Sequence, residues 1–381
     1  MEKRIALVSG TAWYLWNFRR NVIAALVSEG WQVTVIAGAD EWTSHLAAMT
    51  GVQVLDWPVS LDGSNPIEEW AALRRVWRLL RRARPKVVFN NGIKANVYGG
   101  LACRLLRLPY VNNVSGLGMR MRKRDAMGRI LTRLYSFASS RAETLLVQNP
   151  ADLDFLRSHG LSKSTPVVRT MGSGVDLTQF QNAPLPPDLP RRFVFVGRLQ
   201  TDKGIEDFVA VAQRARAAHL PAEFTVVGDT FHANAGAIRA ATLKDWGRAQ
   251  NIQFVGRQTD VRPYLTAAHV LVMPSHGGEG LPKVILEAAA SGRPVIASDV
   301  DGCRDGLVEG QTGWLVPPRD LGALTETVGK ICAMASSDLE TMSAKARELA
   351  EQRFSDQLIA ETCLRLAESS TSNTVSGTRN L

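Results

Sequence analysis

Ser275-His276-Gly277-Gly278-Glu279-Gly280-Leu281-Pro282-Lys283-Val284-Ile285-Leu286-Glu287 carries a glycine-rich loop into a helix, with one carboxylate at each end. Proline is at home in a first helical turn, where its missing N–H costs nothing, so the helix is expected to start near Leu281 with Glu279 on the loop before it. Eight helical residues rise roughly 12 Å, too far for Glu279 and Glu287 to share a proton as a general acid and base. The pair suits the two ends of one elongated ligand. The helix N-terminus between them favours an anion, such as a diphosphate, in the middle.

Working outward, the 381-residue chain exceeds what one hydrophobic core normally serves, so two domains are expected. Its formal charge of +9 is uneven. Residues 1–180 hold 24 Lys and Arg against 13 Asp and Glu, a net +11, while residues 181–381 hold 21 against 23, a net −2. Any acidic partner therefore meets the first half. The cations cluster at 74–86 and at 120–133. The four cysteines are widely spaced and none lies in C-x-x-C, which points to neither a disulfide framework nor a zinc site and suits a reducing compartment. No signal-peptide core follows Met1, and no apolar run approaches about 18 residues.

Short β-branched runs alternate with helical patterns through both halves, the mark of an α/β fold with parallel sheets. In the first half strands are expected at 4–9, 31–37, 52–55, 86–90, 109–114, 143–148 and 166–169. Helices are expected at 18–29, 42–49, 66–83, 95–106, 126–141 and 150–158. Four prolines within Asn182–Pro190 stiffen the chain and place the domain boundary there. The division is therefore 1–181, then 190–352, then a helix over 353–368 returning to the first domain, then a polar tail at 369–381 expected to be disordered. Second-half strands are expected to begin at Phe193–Gly197 and recur at 223–228, 252–255, 269–273, 294–298 and 313–316. Helices are expected at 204–218, 236–249, 281–291, 320–335, 338–352 and 355–368. Two Rossmann-like domains facing across a cleft make that cleft the natural ligand site.

Gly197-Arg198-Leu199-Gln200-Thr201-Asp202-Lys203-Gly204 lies at the carboxyl end of the second domain's first strand, where open α/β sheets bind ligands. Taken alone it reads as a surface turn with two solvated cations. Beside the Glu279 to Glu287 stretch, Arg198 and Lys203 become donors to a diphosphate with sugars on either side.

With Gly197-Arg-Leu-x-x-x-Lys-Gly204, Glu279 and Glu287 with seven residues between, and Ala289-Ala-Ser-Gly-Arg-Pro-Val295, the chain resembles the donor domain of retaining glycosyltransferase family 4, which has the GT-B fold. Asn91–Gly99, Asn112–Gly118, Gln148–Pro150 and Gly172–Asp176 extend the resemblance over about residues 4–365, most like the branch that extends sugars on polyprenyl diphosphates for surface polysaccharides and glycans. The resemblance implies that Arg198 and Lys203 hold the donor diphosphate and Glu287 takes the ribose hydroxyls. Glu279 would touch the transferred hexose, with Gly197, Gly280 and Leu281 lining the donor site. One departure stands out. Many members carry a histidine in the first-domain loop facing the sugar, where this chain reads Val114-Ser115-Gly116. Gly10, Thr11, Ser115, Gly116 and Arg120 are the candidates for the cleft or the acceptor.

Asp299-Val-Asp301 and Asp152-Leu-Asp154 invite a metal reading, but the first reads more simply as a strand-to-helix turn. The second sits in a helix, where residues two apart do not face each other. No metal and no cofactor are expected, since the nucleotide sugar is itself a co-substrate. His276 reads as polar lining of the glycine loop, and Trp13 and Trp16 as packing. The arginine-rich helix over 66–84, with Trp70, Leu73, Trp77 and Leu80 on one side, reads equally as a packed amphipathic helix and as a helix drawn to anionic lipid. No nucleic-acid module is present.

The expectation is thus a cytoplasmic glycosyltransferase, peripheral on the inner face of the cell membrane. Its partners are a nucleotide-sugar donor, a lipid-linked saccharide acceptor and an anionic membrane surface, with no nucleic acid. A nucleotide-sugar epimerase of the same fold and a non-catalytic two-domain receptor for a phosphorylated ligand remain open alternatives.

Overall fold

A computed structural model describes residues 3–60, 65–122, 125–187, 189–230, 237–247, 252–278 and 280–376, with the backbone alone at 119, 120, 240, 244 and 372–376. The chain forms two compact units, Met1–Gly174 with Asp356–Leu381, and Val175–Ser355.

Unit 1 runs β1 (Arg4–Ser9), α1 (Ala12–Ser28), β2 (Gln32–Ala37), α2 (Thr43–Ala47), β3 (Val52–Asp56), α3 (Pro66–Ala83) and β4 (Val87–Asn91). It continues with α4 (Ile93–Leu106), β5 (Tyr110–Val114), α5 (Gly118–Arg122), α6 (Ala126–Ser139), β6 (Thr144–Val147), α7 (Pro150–Ser158) and β7 (Val167–Arg169). The strands pair in parallel in the order β3-β2-β1-β4-β5-β6-β7. Alternation along β1 shows why both faces are covered. Ile5 and Leu7 enter one core with α1, while Ala6 and Val8 enter another with α3 and α4.

Unit 2 repeats the plan with β8 (Arg191–Val196), a short 3-10 turn (Thr201–Lys203), α8 (Ile205–Ala217), β9 (Ala222–Val227), α9 (Ala240–Trp246) and β10 (Ile252–Phe254). Then follow α10 (Arg262–Thr266), β11 (Val270–Met273), α11 (Lys283–Ala290), β12 (Val295–Ser298), α12 (Asp301–Arg304), β13 (Gly313–Val316), α13 (Leu321–Ala333) and α14 (Ser336–Arg353). Its parallel order is β10-β9-β8-β11-β12-β13. The last helix, α15 (Asp356–Ser376), belongs to unit 1, where Ile359, Cys363 and Ala367 join the α1 core.

Four expectations need correction. The units part at Gly174 and Val175, not at 182–190, because the proline-rich segment is bound into unit 2. Arg293, fully buried, donates to the carbonyls of Ala183 (2.9 Å) and Pro184 (2.8 Å), and Leu185 packs on the unit 2 core. Residues 369–376 of the expected tail are helical, continuing α15. Helix α1 begins six residues before the expected 18, since Thr11 caps it by accepting from Tyr14 N at 3.2 Å. Helix α11 begins at Lys283, with Pro282 as its N-cap at φ −61 and ψ 125. Proline here stops the chain just short of the helix.

Candidate donor site

In each sheet the chain winds outward in one direction, then returns to the middle and winds the other way. The reversal falls between β1 and β4 in unit 1 and between β8 and β11 in unit 2. At such a switch point neighbouring loops diverge to opposite sides of the sheet and leave a crevice at the carboxyl ends of the strands. In unit 2 those two loops are Gly197–Gly204 and Pro274–Pro282. The two stretches singled out in the sequence therefore meet at one crevice.

The loops are stitched together. The Asp202 carbonyl accepts from His276 N at 2.8 Å and from Ser275 Oγ at 3.3 Å. Nε2 of His276 lies 2.7 Å from Asp207 Oδ2, on the first turn of α8. An ionised carboxylate only accepts, so the imidazole donates from Nε2. Among the described residues its buried Nδ1 has no partner. Gly204 makes the approach possible. It sits at φ +72, and a Cβ there would stand 1.9 Å from the Pro274 carbonyl oxygen. Gly228 does the same beside Gly197, whose carbonyl oxygen would lie 1.8 Å from an added Cβ. Neither position admits a side chain.

Lys203 is 8% exposed at the end of the 3-10 turn, so its stem is held by the fold, whereas Arg198 is exposed. Among the described residues the Arg198 guanidinium has no hydrogen-bond or ion-pair partner. A buried cation beside an exposed one at a strand end suits an anion. Glu287 lies on α11, mostly buried, with Lys283 Nζ 3.7 Å from its Oε1. Glu279 falls outside the described residues, while Gly277 and Gly278 before it both take positive φ, at +108 and +83. Gly280 and Leu281 are buried.

Sequence reasoning missed Asp207. It lies 69 residues from His276 in the chain, and only the pairing of β8 with β11 brings them together. It also left the role of Ala289–Val295 unresolved. That motif closes α11: Gly292 takes φ +72, and Arg293 spreads Nε, Nη1 and Nη2 over the carbonyls of Leu265, Ala183, Gly292, Pro184 and Thr266. Three of the four aspartates in the D-x-D triplets are engaged by arginine. Arg304 bonds Asp299 and Asp301, and Arg122 holds buried Asp152 at 2.7 Å.

At the unit 1 reversal, Gly10 and the Thr11 cap follow β1, and the Gly10 carbonyl lies 2.6 Å from where a Gly38 Cβ would stand. Ser115 and Gly116, the latter at φ +111, are half-buried after β5. Arg120 is on α5, its side chain outside the description. A polar layer the sequence reading passed over lies beside them. Asn91 accepts from buried Arg19 at 3.1 Å, and Asn113 donates to the Tyr14 hydroxyl at 3.2 Å. Paired asparagines within otherwise apolar buried strands were the available signal. Trp16 stacks on Trp42, with centroids 6.1 Å apart, whereas Trp13 is 42% exposed. On α3 the buried stripe is Ala72, Val76 and Leu80, and Trp70 is 61% exposed under Arg74.

Comparison with known proteins places this architecture. Residues 190–334 match the family described as glycosyl transferases group 1, and residues 15–172 match the glycosyl transferase 4-like domain. The N,N'-diacetylbacillosaminyl-diphospho-undecaprenol alpha-1,3-N-acetylgalactosaminyltransferase of Campylobacter jejuni is 23% identical over 382 residues, covering 95% of this chain and 98% of its own. Sucrose-phosphate synthase from Thermosynechococcus elongatus superposes with a TM-score of 0.81 at 21% identity, covering 97% of this chain and 100% of that one. Anabaena HepE in complex with UDP-glucose gives 0.77 at 18% identity, covering 96% and 99%. Two doubly wound parallel-sheet units matching these structures define the GT-B class. The chain belongs to the group 1, family 4 glycosyltransferases, and it is a glycosyltransferase.

Among the described residues no helix is long and apolar enough to cross a membrane.

Proposed function

We propose that the chain transfers a hexose or N-acetylhexosamine from a UDP-sugar to a saccharide on a polyprenyl diphosphate, with retention of the anomeric configuration, in surface polysaccharide or glycan synthesis. The observation that carries this reading is the switch-point crevice of unit 2, where buried Lys203 and exposed Arg198 stand on one loop stitched to the glycine loop of the other. The UDP-glucose bound to the Anabaena neighbour supports the donor, and the diphospho-undecaprenol in the name of the Campylobacter relative supports the acceptor and an α-linkage.

In this reading Arg198 and Lys203 meet the diphosphate, Glu287 takes the ribose hydroxyls and Glu279 the hexose. The acceptor oxygen attacks C1 on the face from which the diphosphate departs. The C1–O bond to the phosphate breaks, the new glycosidic bond forms, and the acceptor proton passes to the leaving phosphate oxygen. The two cations stabilise the negative charge that builds there, and no metal or cofactor is assigned. Because the acceptor is lipid-linked, the enzyme works at an anionic membrane surface on the cytoplasmic side.

The test offers radiolabelled UDP-sugars with a polyprenyl-diphosphate-linked acceptor. Label should enter the organic phase, and NMR of the product should show an α-anomer. Lys203→Ala should lower kcat by about a hundredfold or more with the fold intact. Near-normal turnover of that variant, a β-anomer, or an altered free sugar nucleotide without transfer would sink the proposal.

A further inference from the structure

Helix α6 is turned inside out. Its buried side is made of Gly128, Thr132, Tyr135, Ser136, Ala138 and Ser139, residues that are small or polar apart from one tyrosine. Its solvent side carries Met127, Ile130, Leu134 and Phe137, exposed by 46%, 59%, 36% and 54%. The spacing of three, four and three places all four on one stripe roughly 15 Å long.

The inversion has a local cause. Helix α4 approaches α6 closely through Gly100, where an added Cβ would lie 3.0 Å from the Ala138 carbonyl oxygen. The interface is then closed by hydrogen bonds. Asn96 on α4 donates to the Tyr135 hydroxyl at 2.5 Å, and β5 adds bonds from Tyr110 to the Ala138 carbonyl at 2.6 Å and from Asn112 to Ser139 Oγ at 3.0 Å. With its inner face committed to close packing, the large apolar residues of α6 lie outward.

Charge identifies what meets them. Between residues 93 and 142 the sequence holds ten Lys and Arg against a single acid, Asp125, which is spent capping α6 through Gly128 N. Arg129 and Arg133 lie exposed along the edge of the stripe, and the Arg104 guanidinium sits 4.0 Å from the Phe137 ring centroid. Leu105, 71% exposed at the end of α4, adds to the apolar area. A second copy of the chain would bring the same cations against themselves. An anionic bilayer complements both features, taking the apolar stripe into the acyl boundary and the arginines at the headgroups.

We propose that the outward face of α6 is the surface by which unit 1 docks onto anionic lipid. The proposal rests on the reading of a lipid-linked acceptor, and it assigns to α6 a contact that the sequence suggested for α3. Docking by this face needs no bound substrate.

The test is sedimentation of the full chain with vesicles of phosphatidylcholine alone and of phosphatidylcholine doped with phosphatidylglycerol. Binding is expected on the doped vesicles only, and it should weaken with salt. Ile130→Ser combined with Leu134→Ser should reduce it about tenfold or more, while Trp70→Ser on α3 should leave it within about twofold. Substitutions from apolar to polar on an exposed face leave the core intact, and an unchanged thermal midpoint confirms that. Vesicle binding of the double variant equal to the parent, or loss through Trp70→Ser instead, overturns the proposal. So does self-association that the double variant abolishes without vesicle binding by the parent. Transfer to a water-soluble acceptor analogue, measured without vesicles, tests the enzymatic reading separately and should survive in the double variant.

Discussion

Gly204→Ala is the sharpest perturbation of the donor site, because one methyl group acts on both loops at once. At φ +72 the alanine costs about 1–2 kcal/mol in backbone strain alone. Its Cβ would also lie 1.9 Å from the Pro274 carbonyl oxygen, a backbone atom without a rotamer to escape into, so the loops must part by about 1 Å. Parting them strains the hydrogen bonds from His276 N and Ser275 Oγ to the Asp202 carbonyl, and the His276–Asp207 pair. At about 1 kcal/mol for each neutral bond and somewhat more for the charged one, added to the strain, the total loss in stability reaches about 4–6 kcal/mol. A displacement of that size at a reacting centre lowers kcat/KM about a hundredfold. Denaturant unfolding gives the first quantity, and initial rates over a range of donor concentrations give the second. Stability within about 0.5 kcal/mol of the parent, or a loss in kcat/KM below tenfold, would refute the claim that loop contact builds the site.

Other predictions follow from two buried groups and one helix cap. Burial first, then the charges of Arg191, Arg192 and Arg293, pushes the imidazole of His269 down to about 4, while its Nδ1 accepts from Arg192 N at 2.9 Å. The unfolded chain binds that proton nearer 6.5, so this contribution to stability is complete above about pH 6.5 and is lost as pH falls toward 4. Between pH 7 and 5 the parent should lose about 2 kcal/mol more than His269→Gln in urea unfolding, and equal losses would contradict the assignment. Arg293→Lys keeps the charge but not the planar fork, leaving carbonyls of the 183–184 segment unpaired. A loss of at least about 3 kcal/mol by calorimetry is expected, with faster proteolysis after residue 182. Thr11→Ala should cost about 1 kcal/mol through the cap of α1, and Thr11→Ser should restore it. A full loss in both variants would remove the capping role.

Much of this protein was legible in one dimension, for reasons that can be named. Alternating β-branched runs and amphipathic helices specify parallel sheets, because strands covered on both faces have no polar side to present. The glycine motifs were legible because glycine is favoured at the positive φ that Gly204 and Gly292 adopt, and the two motifs together, rather than the cations alone, marked a site. Strand order, helix packing and burial lie beyond that reading, since they depend on residues far apart in the chain. The pairing of β8 with β11 is what turns two separate motifs into one crevice and sets His276 against Asp207. Close packing of α4 on α6 is what sends Ile130 and Phe137 outward, against the ordinary reading of an apolar helical stripe as core. The arginine fan that binds residues 183–184 into unit 2 likewise moves the boundary back to Gly174, because a buried guanidinium must find carbonyl partners wherever the fold offers them. The sequence by itself determined the class of fold and marked the two loops to which the proposed function assigns the donor. Only the tertiary structure decided which of those residues meet and which apolar face is left for a partner, because both follow from contacts that local pattern does not encode.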